Sequence, residues 1–251
     1  MHRYFEINEG GHNIRCKVYC TDPRQIKRMV IFCHGFGGHK DNGAAEKFAE
    51  RMLTKYKGCA MITFNLPCHG DDVKKKLSLA DCTAYFSLVL DHVRKTYPKD
   101  EIYCYATSFG GYLTLKYISE YGNPFRRIVL RCPAVNMAEV LVTSIMKSED
   151  GELLAKGKDV PVGFDRKIPV SQTFINELRE ADILTRDFLE LSEDILILHG
   201  TADEIVPFDV SAAFADENLI KFIPVEGADH RFRDQTKMEQ AIKSILGFFG
   251  W

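Results

Sequence analysis

The 251-residue sequence contains no uninterrupted apolar run approaching the roughly 20 residues needed to span a bilayer, so no membrane partner is expected. Its beginning, Met1-His2-Arg3-Tyr4-Phe5-Glu6, has neither an apolar signal core nor a cleavage site, and a cytoplasmic location is the expectation. There is little excess of either charge: the formal net charge is −2, which gives no reason to expect nucleic acid or an anionic membrane as a partner. There is no C-x-x-C pair. The eight cysteines, at 16, 20, 33, 59, 68, 82, 104 and 132, are scattered, and Cys33, Cys104 and Cys132 fall in or beside apolar runs. That scatter suits reduced core thiols better than a disulfide framework or a structural metal, and no metal is expected. Internal repeats and low-complexity linkers are also missing, and Lys74-Lys75-Lys76 reads as a solvated loop.

What is present is an ordinary globular composition, 45% hydrophobic and 27% charged, over a length that suits a single α/β domain spanning 1–251. Residues 3–7 and 14–20 read as a hairpin around Glu9-Gly10-Gly11-His12. Continuous apolar runs at 29–33, 60–64, 102–106, 128–132, 195–198 and 219–223 read as strands buried on both faces. Helical periodicity falls between them, at about 43–56, 79–96, 112–118, 209–215 and 235–249. This alternation predicts a mostly parallel sheet covered by helices on both faces, with ligands bound at the carboxyl ends of the strands. Residues 134–187 interrupt it. They are expected to be helical near 137–146, loop-like through 151–169 and helical again near 173–180, forming a cap over the strand ends.

The stretch that organises the rest is Ile102 to Leu113. A buried strand runs into a helix through Ala106-Thr107-Ser108-Phe109-Gly110, a close variant of G-x-S-x-G. A serine on such a turn is held in a strained conformation with its hydroxyl above the sheet, and small residues two before and two after let neighbouring backbone approach. The alternative is an ordinary helix start capped by Ser108. A nucleophilic serine needs a base and a carboxylate to orient that base. His199-Gly200-Thr201-Ala202-Asp203 follows one strand and Gly227-Ala228-Asp229-His230 the next, so Asp203 and His230 complete the order Ser, Asp, His at the carboxyl edge. Glu204 and Asp229 are the other carboxylates to hand. The amides of Phe36, in His34-Gly35-Phe36-Gly37, and of Phe109 are the candidate oxyanion donors. His34, His69 and His199, each before glycine, are expected to shape their turns locally.

Together these segments resemble the α/β-hydrolase superfamily over essentially the whole chain. Within it they are most similar to bacterial cinnamoyl (feruloyl) esterases and to the serine aminopeptidase and monoacylglycerol lipase group. The resemblance implies an eight-stranded, mostly parallel α/β-hydrolase sheet with a small cap after the sixth strand. It also implies a cofactor-free serine hydrolase working through an acyl-enzyme on a small-molecule ester. Three positions depart from the pattern: Asn65 stands where aspartate is common, and Cys68 and Ala106 where glycine is. Met137, Phe164 and Phe174 are candidate substrate-binding residues of the cap, and each could equally be packing. An aminopeptidase, a monoacylglycerol lipase, a thioesterase and a catalytically silent binding protein on the same scaffold are the competing expectations. No acidic cluster in the cap suggests recognition of a free amine. The oligomeric state is not legible.

Overall fold

A computed structural model describes residues 2–97 and 101–251. The hairpin is β1 (His2–Glu9) and β2 (His12–Cys20), and the apolar runs become β3 (Arg28–Cys33), β4 (Cys59–Phe64), β5 (Glu101–Thr107) and β6 (Ile128–Arg131). Strands β7 (Val160–Val162) and β8 (Ile168–Val170) pair only with each other, while β9 (Ile195–Gly200) and β10 (Lys221–Val225) return to the main sheet. That sheet has eight strands in the order β1-β2-β4-β3-β5-β6-β9-β10. From β4 to β10 every pairing is parallel, and only the β1–β2 and β2–β4 pairings are antiparallel.

Strand alternation divides the core. Met29, Ile31, Cys104, Ala106, Ile128, Leu130, Ile195 and Ile197 face one layer; Val30, Phe32, Tyr103, Tyr105, Val129, Leu196 and Leu198 face the other. The second layer is closed by α1 (Gly43–Lys55) and α8 (Gln235–Phe248). Helix α1 forms because Asn42 caps its first turn by accepting from the Ala44 and Ala45 amides, and it buries Ala45, Phe48, Ala49 and Met52 completely. Each Phe or Met so buried contributes about 1.5–3 kcal/mol. The first layer is covered by α2 (Leu79–Thr96), α3 (Phe109–Tyr121) and the segment between β6 and β9.

That segment contains α4 (Met137–Val140), a π-helical turn at Leu141–Ile145, α5 (Ser148–Ala155), the β7–β8 hairpin and α6 (Gln172–Glu180). The expectation of a loop through 151–169 is therefore corrected: α5 reaches into it and a hairpin occupies the rest. Its strands are three residues each with Pro161 and Pro169 opposite one another, too short and proline-rich to read as strands. Helix α7 (Phe208–Glu217) joins β9 to β10. Among the described residues no helix is long and apolar enough to cross a membrane.

The chain leaves β3 for β4 on one side and returns to β5 on the other. The strand order therefore reverses between β3 and β5, and a crevice opens at their carboxyl ends.

Candidate active site

Ser108 sits at the end of β5, where φ is 53° and ψ is −120°, outside both the helical and the extended regions. Its side chain makes no capping hydrogen bond to α3, which removes the ordinary helix-cap reading. The strained turn is fixed from both sides. Ser108 N–H donates to Arg131 O at 3.0 Å, and Ser108 O accepts from Tyr112 and Ala134 amides at 3.2 Å each. Glycine at 110 is obligatory: a Cβ there would lie 2.3 Å from Cys33 O and 2.7 Å from His34 O. A Cβ on Gly35 would lie 3.0 Å from Ser108 Cβ, so the loop after β3 rests directly against the serine.

That loop is held by His34. Its ring Nδ1–H donates to Gly35 O at 2.8 Å, leaving Nε2 to accept from the Leu66 amide at 3.2 Å. Burial, reinforced by His69 nearby, pushes the His34 imidazole well below its ordinary value, so it is neutral and structural. Neither the Phe36 amide nor the Phe109 amide donates to any group among the described residues, and both flank Ser108. Phe109 is the first residue of α3, where an amide has no helical acceptor. The two phenyl rings meet edge to face at 6.0 Å.

Asp203 and His230 come from successive loops, after β9 and β10, that are stitched to one another. Ala202 N–H donates to Ala228 O at 3.0 Å, Gly227 N–H to Thr201 Oγ1 at 2.8 Å and His230 N–H to Glu204 Oε2 at 3.1 Å. Gly200 permits this, because a Cβ there would lie 2.2 Å from Ala228 O. His230 Nδ1 lies 2.8 Å from Asp203 Oδ2, and Asp203 Oδ1 accepts from the Ile205 and Val206 amides at 2.9 and 2.8 Å. Glu204 is occupied by that backbone bond, and Asp229 accepts from Arg233. Neither orients the imidazole.

Sequence reasoning missed three things here. His199, expected to act only on its own turn, places Nε2 3.1 Å from Asp203 Oδ2 as well as 3.2 Å from Val206 O, so the carboxylate has two imidazole neighbours. Burial opposes the charge on Asp203, but the bonds from His199, His230 and the Val206 amide outweigh it and hold the carboxyl well below the usual carboxylate range. Cys132, in left-handed backbone at φ 46°, brings its sulfur within 4.8 Å of the Asp203 and His230 donor atoms. Burial pushes that thiol well above its ordinary value.

The third is the cavity itself. Ser108 and His230 line a space of about 470 Å³ whose wall includes Gly35, Phe36, His39, Arg131, Arg166 and Arg231. Among the described residues its only acid is Asp165, which accepts from Arg231 at 2.6 Å. Asp165 and Arg166 belong to the segment between β6 and β9. Of the expected apolar substrate contacts, Met137 and Phe174 are fully packed in the core and line no wall of this cavity. Phe164 is half exposed beneath the Arg231 guanidinium, also outside the lining. For Phe174, an amphipathic helix looks the same in sequence whether its apolar face meets a ligand or the core. The sequence shows an arginine closing the apolar run Ile128-Val129-Leu130-Arg131, but not where its side chain goes.

The departures from the family pattern also find physical reasons. Asn65 accepts from the Lys40 amide at 2.8 Å and donates Nδ2 to Asp71, a bond that a carboxylate could not make. Cys68 holds the left-handed conformation, φ 67°, that a glycine there would adopt freely.

In comparison with known proteins, the sequence profile of the serine aminopeptidase (S33) hydrolase family matches residues 24–187, more than half of the chain. No curated protein matches in sequence. Among solved structures, Est1E from Butyrivibrio proteoclasticus superposes with a TM-score of 0.70 at 19% identity, covering 99% of both chains. Mouse alpha/beta hydrolase domain-containing protein 10 does so with a TM-score of 0.70 at 16% identity, covering 99% of this chain and 98% of its own. The esterase domain of a Rhodothermus marinus protein gives 0.70 at 14%, covering 98% and 96%. The fold is thus that of the α/β hydrolases: a mostly parallel eight-stranded sheet with helices on both faces.

Proposed function

Because the chain belongs to the serine aminopeptidase (S33) family of α/β hydrolases, we propose that it is a serine esterase with Ser108 as nucleophile, His230 as base and Asp203 as the orienting carboxylate. The observation that carries this is the 2.8 Å contact between His230 Nδ1 and Asp203 Oδ2, with His230 and the strained Ser108 opening onto one cavity. Donation from Nδ1 to Asp203 leaves Nε2 unprotonated. It takes the Ser108 proton as Oγ bonds to the ester carbonyl carbon. The oxyanion that develops is held by the Phe36 and Phe109 amides. Collapse breaks the bond to the alcohol oxygen, which leaves with the proton from His230. Water, deprotonated by the same imidazole, then releases the acid and regenerates Ser108.

Residues 134–187 serve as a cap, contributing Asp165 and Arg166 to the cavity wall. Three arginines against one ion-paired aspartate argue for an ester and against a peptide with a free amino terminus, whose ammonium would need an unpaired carboxylate. Small acyl groups fit a cavity of about 470 Å³. Aromatic acyl esters of the cinnamoyl or feruloyl kind are the second candidate, supported by the likeness to Est1E, which is also solved with ferulic acid bound. All eight cysteines are free, in keeping with a reducing cytoplasmic setting.

The test is turnover of 4-nitrophenyl acetate, butyrate and octanoate and of methyl ferulate, with fluorophosphonate labelling in parallel. Labelling and turnover that both vanish in Ser108→Ala are expected. An unlabelled wild-type protein that turns over no ester would overturn the reading in favour of a silent scaffold.

A further inference from the structure

Arg131 is only 5% exposed and lines the same cavity as Ser108 and His230. Among the described residues no carboxylate pairs with its guanidinium. Nη1 lies 3.6 Å from the Met238 sulfur, the guanidinium stacks on the Phe232 ring at 5.0 Å, and Nε has no partner. The Tyr105 hydroxyl on the same face of the sheet is likewise buried and unpartnered. A charge removed from water without a counter-ion is costly, and a neutral side chain of similar length would pack as well between phenyl and thioether. The rest of the site does not use the charge: it touches neither Asp203 nor His230.

Resting on the serine-hydrolase reading above, we propose that the ester cleaved here carries a second, anionic group, a carboxylate, bound by Arg131. The guanidinium fork matches a planar carboxylate in two parallel hydrogen bonds. Arg131 is rooted at the nucleophile, since its own carbonyl accepts from the Ser108 amide at 3.0 Å and it pairs with Thr107 across β5 and β6. An anion bound there therefore stands one short chain away from the reacting carbonyl. Arg166 and Arg231 at the wall are already engaged, with Gly70 O and with Asp165, and add an attractive field. A single unpaired buried cation balances a monoanion and leaves a phosphate dianion partly uncompensated.

The experiment compares matched esters on wild type, Arg131→Met and Arg131→Lys at fixed ionic strength. One pair places the anion on the acyl group (mono-4-nitrophenyl succinate against 4-nitrophenyl butyrate). The other places it on the alcohol (the butyrate ester of glycolate against ethyl butyrate). Wild type should favour one anionic member by about 10- to 100-fold in kcat/KM, carried by KM. Arg131→Lys should keep part of that preference and Arg131→Met should lose it. No preference for either anionic ester in wild type, or a preference that survives in Arg131→Met, overturns the proposal while leaving the esterase reading intact.

Calorimetric binding of monomethyl succinate and methyl butyrate to Ser108→Ala separates the two readings without turnover. Arg131-dependent binding of the monoanion to Ser108→Ala, together with a wild type that hydrolyses no ester, would retain the anion site and discard the esterase. Inorganic phosphate binding more tightly than monomethyl succinate would overturn the assignment to a carboxylate.

Discussion

Asp203 accepts from two backbone amides and stands between two imidazoles, and this crowding of donors keeps it ionised despite its burial. Its contribution to stability is present above the unfolded carboxylate pKa of about 3.9 and is lost only as pH falls through a still lower folded value. The acid side of a pH–rate profile should therefore show no protonation at Asp203. Asp203→Asn presents an amide nitrogen or a neutral oxygen to His230 and His199. It is expected to lower kcat for 4-nitrophenyl butyrate by about 10³- to 10⁴-fold, measured with the protein still folded by circular dichroism. Cys68 offers the opposite test, a residue whose backbone is strained without chemical use. With φ at 67°, Cys68→Gly should raise stability by about 0.5–1 kcal/mol, read as a higher urea midpoint at unchanged slope. That Ser108, Asp203 and His230 meet at one edge of the sheet was legible in the sequence because each follows the end of a strand beside small residues, in an order that the sheet can bring together. Arg131 was not, because nothing in Ile128-Val129-Leu130-Arg131 tells which face of the strand an arginine takes or whether an acid awaits it.

Where elements meet, close approach decides more than propensity. Strand β3 and helix α3 touch at Gly110, where Gly110→Ala would push a methyl into two carbonyl oxygens. Displacing the turn that holds Ser108, it should abolish fluorophosphonate labelling and cost about 3 kcal/mol or more, as measured by thermal melting and labelling together. The turn after β4 depends on the Asn65 amide, buried against Asp71. Asn65→Asp would set two carboxylates in contact, with Lys40 only partly compensating, and should destabilise by about 1–3 kcal/mol at neutral pH and less at pH 4. The strands and helices of the main sheet could be read from periodicity because each buries a continuous face. The β7–β8 hairpin could not. Its strands carry only three residues each, and its pairing depends on that segment's contacts with the core rather than on local preference.

Taken whole, the molecule stores two buried neutral imidazoles, His34 and His69, side by side in the turns after β3 and β4. Burial pushes His69 down to about 4, against about 6.5 when unfolded. Between those values the unfolded chain binds the proton and the folded chain does not, so stability rises with pH through this window and flattens below it. The unfolding free energy from urea titration should fall between pH 7 and pH 4.5, by roughly 2 kcal/mol for His69 alone. His69→Asn, which keeps a donor for Pro67 O, should lessen that slope. The sheet order has its own consequence. Ser108 stands at the centre of the sheet, but Asp203 and His230 hang from β9 and β10, and β10 is a rim strand of five residues with only Val225 buried. Rims open before centres. On slow heating, catalysis should cease several degrees before the ellipticity collapses, and amides of 221–225 should exchange with deuterium ahead of those in β5. Such a protein would be switched off by a fraying edge while most of it is still native, and on cooling would recover without having to refold.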